Sequence, residues 1–215
     1  MKHIKNRRRA GGNWIMNMGT VNAGGQNTVK ERNPAGRTGR KTTRTFVYIG
    51  MFAAVLAVLS QISIPMPTGM PLTLQTFAVA LCGAVLGWRL SLASTAVWVM
   101  LGAVGVPVFA NFSGGFRVLV GYTGGFIWGF FFMAALCGIG SAMKNKPFGL
   151  EIGFLGLLIC HVFGALQYSF VAGVGFWQAV LLVSVPYLIK DVISVVLAFS
   201  IGTIVRGRLA KAGLM

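Results

Sequence analysis

The chain has 215 residues, 55% of them hydrophobic and 10% charged, with thirty glycines and a formal net charge of +16. Glu31, Glu151 and Asp191 are its whole acidic complement. This excludes catalysis by a carboxylate pair and leaves a polytopic membrane protein with glycine-dense helices. The positive charge does not point to nucleic acid, because residues 1 to 44 hold eleven Lys or Arg against Glu31, and the rest of the chain holds eight against two acids.

In chain order, residues 1–44 form the first unit, read as a basic, disordered cytoplasmic tail. Such a tail suits an anionic membrane face, and a merely solvated extension fits it equally well. Residues 45–215 form the second unit, a membrane domain. The first apolar run starts at Phe46, is long enough to span, and has no clear cleavage site after it, so it reads as a retained first helix rather than a signal peptide.

A bilayer core of roughly 30 Å takes about 20 apolar helical residues. Six stretches approach that: Phe46–Ile64, Leu72–Trp88, Leu90–Val106, Tyr122–Met143, Leu150–Val171 and Phe176–Val205. The fold class is therefore all-α, a six-transmembrane-helix bundle, with the second and third helices in a tight hairpin turning at Trp88 and Arg89. Lys and Arg favour cytoplasmic connections. The basic tail, Arg89, Lys144, Lys146, Arg206, Arg208 and Lys211 then face inward, which puts both termini in the cytoplasm. On the exterior side lie two long Pro- or Gly-rich loops, IPMPTGMP and VPVFANFSGGFRVLVG. Loops of this kind shape binding sites.

The sixth stretch carries the sharpest anomaly, Lys190 and Asp191 in PYLIKDVISVV. A charge at the middle of a bilayer costs roughly 2.5–3.5 kcal/mol on insertion scales, so intramembrane ionisable groups mark functional sites. Tyr187, Lys190, Asp191 and Ser194 share one helical face, expected to look into the bundle. Successive residues diverge by about 100° on a helix, so Lys190 and Asp191 are not expected to neutralise each other as an isolated pair. The competing readings are an interhelical salt bridge or a lysine reaching back to the interface.

Arg117, in the exterior loop, is suited to a bidentate grip on a carboxylate, or equally to a headgroup contact. Gly121, Gly125 and Gly129, four apart, read as a helix-packing ridge. Gln75, Thr76, His161, Gln167 and Tyr168 are polar groups in apolar helices, each read singly as an interhelical hydrogen bond. Cys82, Cys137 and Cys160 are odd in number and lie in apolar runs, so no disulfide framework is expected. No second histidine or carboxylate stands at ligand spacing from His161, so no metal site is expected.

Three segments, SQISIPMPTGMPLTLQTFAVALCGAVLG, GAVGVPVFANFSGGFRVLVGYTGGFIWGF and VPYLIKDVISVVLAF, give the stretch from Phe46 to Arg206 a resemblance to the BioY family, the biotin-binding S components of energy-coupling-factor (ECF) vitamin transporters. The resemblance implies a non-enzymatic transport component with no cofactor and no catalytic residues, in a prokaryotic cytoplasmic membrane. It would capture biotin from outside and deliver it with a transmembrane coupling subunit and two ATPase subunits. It implies that Asp191 accepts the ureido N–H groups, that Asn111 pairs with the same ring, and that Lys190 or Arg117 holds the valerate carboxylate. Gln75 and the aromatic Tyr168 join the substrate-binding set, and Ala53 and Ala57 form a small-residue contact to the coupling subunit. The sequence departs from the family pattern at Ser194, where many relatives carry a lysine three residues after the aspartate, and at Tyr122, where a proline usually precedes Thr-Gly-Gly. An S component for another small vitamin and a non-transport intramembrane protein are the alternatives.

Overall fold

The computed structural model describes residues 34–67 and 69–212, with side chains from Thr42 onward. Most of the expected tail lies outside the described residues. The chain divides at Arg40 and Lys41 into two units, and the account below concerns the second.

Helix α1 (Pro34–Ser60) leads into a two-stranded antiparallel ribbon, β1 (Ser63–Ile64) and β2 (Leu72–Thr73), with Ser63 opposite Thr73. Then follow α2 (Gln75–Leu86), α3 (Trp88–Ala103), a single 3₁₀ turn at Ala110–Phe112, α4 (Phe116–Val120), α5 (Gly124–Ala142), α6 (Lys146–Ala172), α7 (Phe176–Val183) and α8 (Val185–Lys211). The first helix starts well before the expected Phe46. Its opening residues are polar and basic, and a helix satisfies its own backbone whether or not its side chains are apolar.

Among the described residues, four segments are long and apolar enough to cross a membrane: Thr42–Ser60, Gly124–Ala142, Lys146–Ala172 and Val185–Lys211. The second and third expected spans are shorter than anticipated, at 12 and 16 residues. At 1.5 Å per residue they reach roughly 18 and 24 Å. The start of the second span is strand β2, and the hairpin between the two helices turns at Gly87, whose φ of 76° favours glycine. The sixth span is not one helix. It breaks at Ser184 (φ −112°, ψ −52°), and α8 restarts with Pro186 in its first turn, where the missing N–H has no helical partner to lose.

Helices α5 and α6 pack backbone to backbone. A Cβ on Gly125 would sit 2.2 Å from the Phe163 carbonyl oxygen, and one on Gly129 2.6 Å from Cys160 Cα. These two members of the expected ridge are packing residues. Gly121 instead ends α4 and receives a hydrogen bond from Gln167, whose amide also donates to the Leu119 carbonyl.

The core groups Trp98, Phe109, Phe130 and Met133 with α1 residues such as Leu56. Trp98 donates its indole N–H to the Val108 carbonyl at 3.0 Å and meets the Phe109 ring edge-on at 5.1 Å. A loop following α3 is thereby fastened to the bundle interior. Ala53 is only 4% exposed and belongs to the same core, with Ala57 packed against it. At Ala53 a small side chain lets neighbouring helices of this chain approach closely.

Candidate functional site: a polar cavity under the loops

Helix α8 turns one face toward the bundle. Tyr187, Asp191 and Ser194 are all buried, as the shared-face reading expects. Lys190 follows the same wall because its long stem carries the ammonium sideways to two acceptors, the Asp191 carboxylate at Oδ1 and the Thr73 carbonyl at 2.7 Å. The two adjacent charges therefore do pair. The offset between their Cα–Cβ directions is bridged by the flexible four-carbon lysine side chain. The other carboxylate oxygen, Oδ2, lies 3.3 Å from His161 Nε2 on α6. Thr76 on α2 also bonds the carboxylate. Three helices, α2, α6 and α8, thus converge on Asp191, as a buried charge requires.

The ribbon is bound to α8 at two points. Tyr187 donates its hydroxyl to the Met70 carbonyl at 2.6 Å, just before β2, and Lys190 reaches the Thr73 carbonyl three residues on. A second set of bonds ties the ribbon region to the 3₁₀ turn. Ser63 donates to Asn111 Oδ1 at 2.6 Å, and Gln61 accepts from the Phe112 backbone N–H at 2.9 Å while donating to the Pro107 carbonyl. Asn111 and Phe112 occupy the left-handed region with φ of 56° and 54°. Consecutive non-glycine residues there cost roughly 1–3 kcal/mol each and persist only when the surroundings hold them. Gln61 and Ser63 provide that hold.

Between these elements lies a cavity of about 310 Å³. Its wall includes Gln75, Asn111, Arg117, Tyr122, Lys190 and Asp191. This is the small end of the volume range for ligand sites, roughly 300–1,000 Å³, and its mixture of aromatic surface with a few convergent polar groups is typical of them. Five of the six expected binding residues therefore meet on one cavity. The sixth, Tyr168, is buried behind the wall, with its ring 5.5 Å from that of Tyr122. It supports an aromatic lining residue rather than lining the space itself. Gln75 accepts from the Thr73 hydroxyl at 3.2 Å at the start of α2. Arg117 is exposed and has no carboxylate partner among the described residues, which leaves its guanidinium free for an anionic guest.

Reading the sequence missed three contributors. His161 is read from the sequence only as an interhelical hydrogen bond with no partner named; it does approach another helix, and the one aspartate of the apolar helices is the clue to which partner. Gln61 and Ser63 gave no signal of their own, because they act only on the backbone and amide of a turn some 50 positions away.

The arrangement defines a class: a multi-pass helical membrane protein with a closed-off charge pair on the wall of a small-molecule cavity. The family model described as the BioY family matches residues 29–211. The chain belongs to that family. It is 39% identical over 157 residues to the biotin transporter BioY of Thermotoga maritima, covering 72% of this chain and 91% of that one. It is 35% identical over 159 residues to the probable biotin transporter BioY of Pyrococcus horikoshii, covering 74% and 94%. In three dimensions it is similar to the crystal structure of the S-component for biotin from an ECF-type ABC transporter, with a TM-score of 0.70, 24% identity and coverage of 78% of this chain and 93% of that one. That likeness establishes the shared fold.

Proposed function

We propose that this protein is the substrate-capture component of a biotin uptake system, binding the vitamin in the cavity bounded by α8, the ribbon and the 3₁₀ turn. The observation that carries the reading is the ion pair of half-buried Lys190 with buried Asp191, opening onto that cavity together with Asn111. Biotin has a ureido ring with two N–H donors and one carbonyl, an apolar thioether ring, and a terminal carboxylate. Asp191 offers acceptors for the N–H groups. Asn111 has its carbonyl oxygen engaged by Ser63 and so presents its amide N–H₂ to the ureido carbonyl. Lys190 and Arg117 are the cations of the wall, and one of them takes the carboxylate. Tyr122, Phe126 and Phe130 supply apolar surface for the thioether ring.

The distribution of Lys and Arg supports both termini on the cytoplasmic side and the cavity toward the exterior of a prokaryotic plasma membrane. Release inward is coupled to a transmembrane subunit and two ATPase subunits, which supply the energy. The apolar surface of α1 offers such a subunit a docking face, since that helix is only 17% buried over its apolar window.

Calorimetric titration of the detergent-purified protein with biotin tests the reading. The wild type binds biotin, and Asp191→Asn, which leaves Lys190 without its counter-charge, loses affinity by about 3 kcal/mol or more, on the order of a hundredfold. Equal binding by both proteins removes the proposed site, and a different small vitamin that outcompetes biotin reassigns the substrate.

A further inference from the structure

Of the three side chains that meet Asp191, Thr76 and Lys190 line the cavity and His161 does not. Lys190 lines the cavity, and its side chain is 21% exposed. His161 does not line it, and the side chains of His161 and Asp191 are each 6% exposed. The carboxylate is therefore gripped on its cavity side by a mobile ammonium and on its far side by a ring enclosed in the bundle.

The ring is fixed by its surroundings. Phe126 meets it edge-on, with centroids 5.6 Å apart and planes at 86°. Phe126 can stand there because Gly164, one turn beyond His161, leaves room: a Cβ at that position would lie 2.0 Å from the Phe126 ring. Both His161 nitrogens are buried without a hydrogen bond of good geometry among the described residues, but Nε2 lies 3.3 Å from Asp191 Oδ2, whereas no acceptor stands against Nδ1. A buried N–H without an acceptor costs more than a buried lone pair without a donor, so the ring proton belongs on Nε2, where a small rotation of the ring brings it onto the aspartate.

We propose that His161 is a positioning residue whose Nε2–H donation keeps Asp191 in place and solvated when Lys190 swings from the aspartate to the ligand's carboxylate. The inference rests on the biotin reading above and assigns it an order of events. In the empty site Lys190 neutralises Asp191. On entry of the ligand, its ureido N–H groups take over the cavity-side oxygen of Asp191, and the released ammonium meets the ligand carboxylate. This exchange needs a donor on Asp191 outside the cavity, since Lys190 leaves and Thr76 stands on the wall that the ligand meets. His161 is placed to be that donor, since it cannot reach the cavity. Without it, Lys190 stays on Asp191, and the ligand's carboxylate loses its cation.

The test compares biotin with biotinamide, in which the carboxylate is replaced by an uncharged amide, against wild type, His161→Leu and His161→Gln. Wild type is expected to prefer biotin by tenfold or more. In His161→Leu, which fills the space without a donor, the preference falls to within about threefold, mostly through weaker biotin binding. In His161→Gln, which restores an N–H at the position of Nε2, the preference returns. A wild-type preference retained in His161→Leu overturns the proposal while leaving the biotin site standing. A wild type that binds neither ligand overturns the biotin reading itself. If His161→Leu does not purify as a monodisperse protein, the tautomer decides. The chain has only two histidines, His3 and His161, so ¹⁵N-histidine labelling of the wild type resolves them. An Nε2–H signal for His161 with and without biotin is expected, and an Nδ1–H tautomer in either state overturns the proposal.

Discussion

The α5–α6 seam and the cavity wall are both tightly held, by opposite means. Along the seam, Gly125, Gly129 and the mutually opposed Gly140 and Gly149 bring two backbones together with no side chain between them. At the cavity, short elements are suspended from one another by side-chain hydrogen bonds: Tyr187 to Met70, Lys190 to Thr73, Ser63 to Asn111, Gln61 to Phe112. A contact between backbones tolerates no added atom. A wall hung on hydrogen bonds loses them one at a time, each worth about 0.5–1.5 kcal/mol. The difference predicts that changes to the seam unfold the protein and that changes to the wall leave it folded with a poorer site.

The largest effect is expected at the seam. Gly125→Ala inserts a Cβ 2.2 Å from a backbone oxygen that cannot turn aside. A loss of about 3 kcal/mol or more is expected, at the upper end of overpacking costs, read as a lower melting temperature in detergent and a poor yield of monodisperse protein. A melting temperature within a degree or two of wild type would break the comparison. A smaller effect falls between the two regions. In Gly102→Ala the new Cβ meets the Phe109 ring at 2.1 Å, and Phe109 both packs on Trp98 and lines the cavity. A ring can move where a carbonyl in a helix cannot, so the cost is about 1–3 kcal/mol, divided between stability and binding. Tenfold weaker biotin binding with a modest drop in melting temperature is the outcome that sharpens the distinction.

How much of this was visible in the sequence follows the same division. The seam was legible, because close helix packing needs small residues at a fixed spacing and Gly125 and Gly129 display it. The charges of the site were legible too, since Lys190 and Asp191 stand out in any apolar helix. What was hidden depends on tertiary geometry. The break at Ser184 lay inside a continuous apolar run, and hydropathy does not distinguish two helices from one. The Lys190–Asp191 pairing was obscured by helical offset, which fixes where Cβ atoms point and not where a long side chain ends. Tyr168 was assigned to the ligand because an aromatic near the site suits an apolar ring, yet its place is behind Tyr122. The length of α2 was overestimated, because the apolar residues Leu72 and Leu74 belong to a strand and a turn rather than to the helix.

The smallest effects expected are those of Ser63→Ala and Gln61→Ala, and they discriminate most finely. Neither side chain lines the cavity. Gln61→Ala removes the acceptor of the Phe112 N–H and the donor to Pro107, while Ser63→Ala removes the donor to Asn111 Oδ1. Each loss is worth about 1 kcal/mol, so biotin affinity should fall roughly three- to tenfold with the melting temperature nearly unchanged. The two variants should differ in kind. Without Gln61 the left-handed backbone at Asn111 and Phe112 is free to relax, so a glycine at Phe112, which adopts positive φ without strain, should recover part of the affinity in the double variant Gln61→Ala, Phe112→Gly. The same glycine should do nothing for Ser63→Ala, where the backbone is still held and only the orientation of the Asn111 amide is lost. Equal rescue of both variants would mean that Asn111 is positioned by its backbone alone, and the ribbon would then have no part in aiming its side chain.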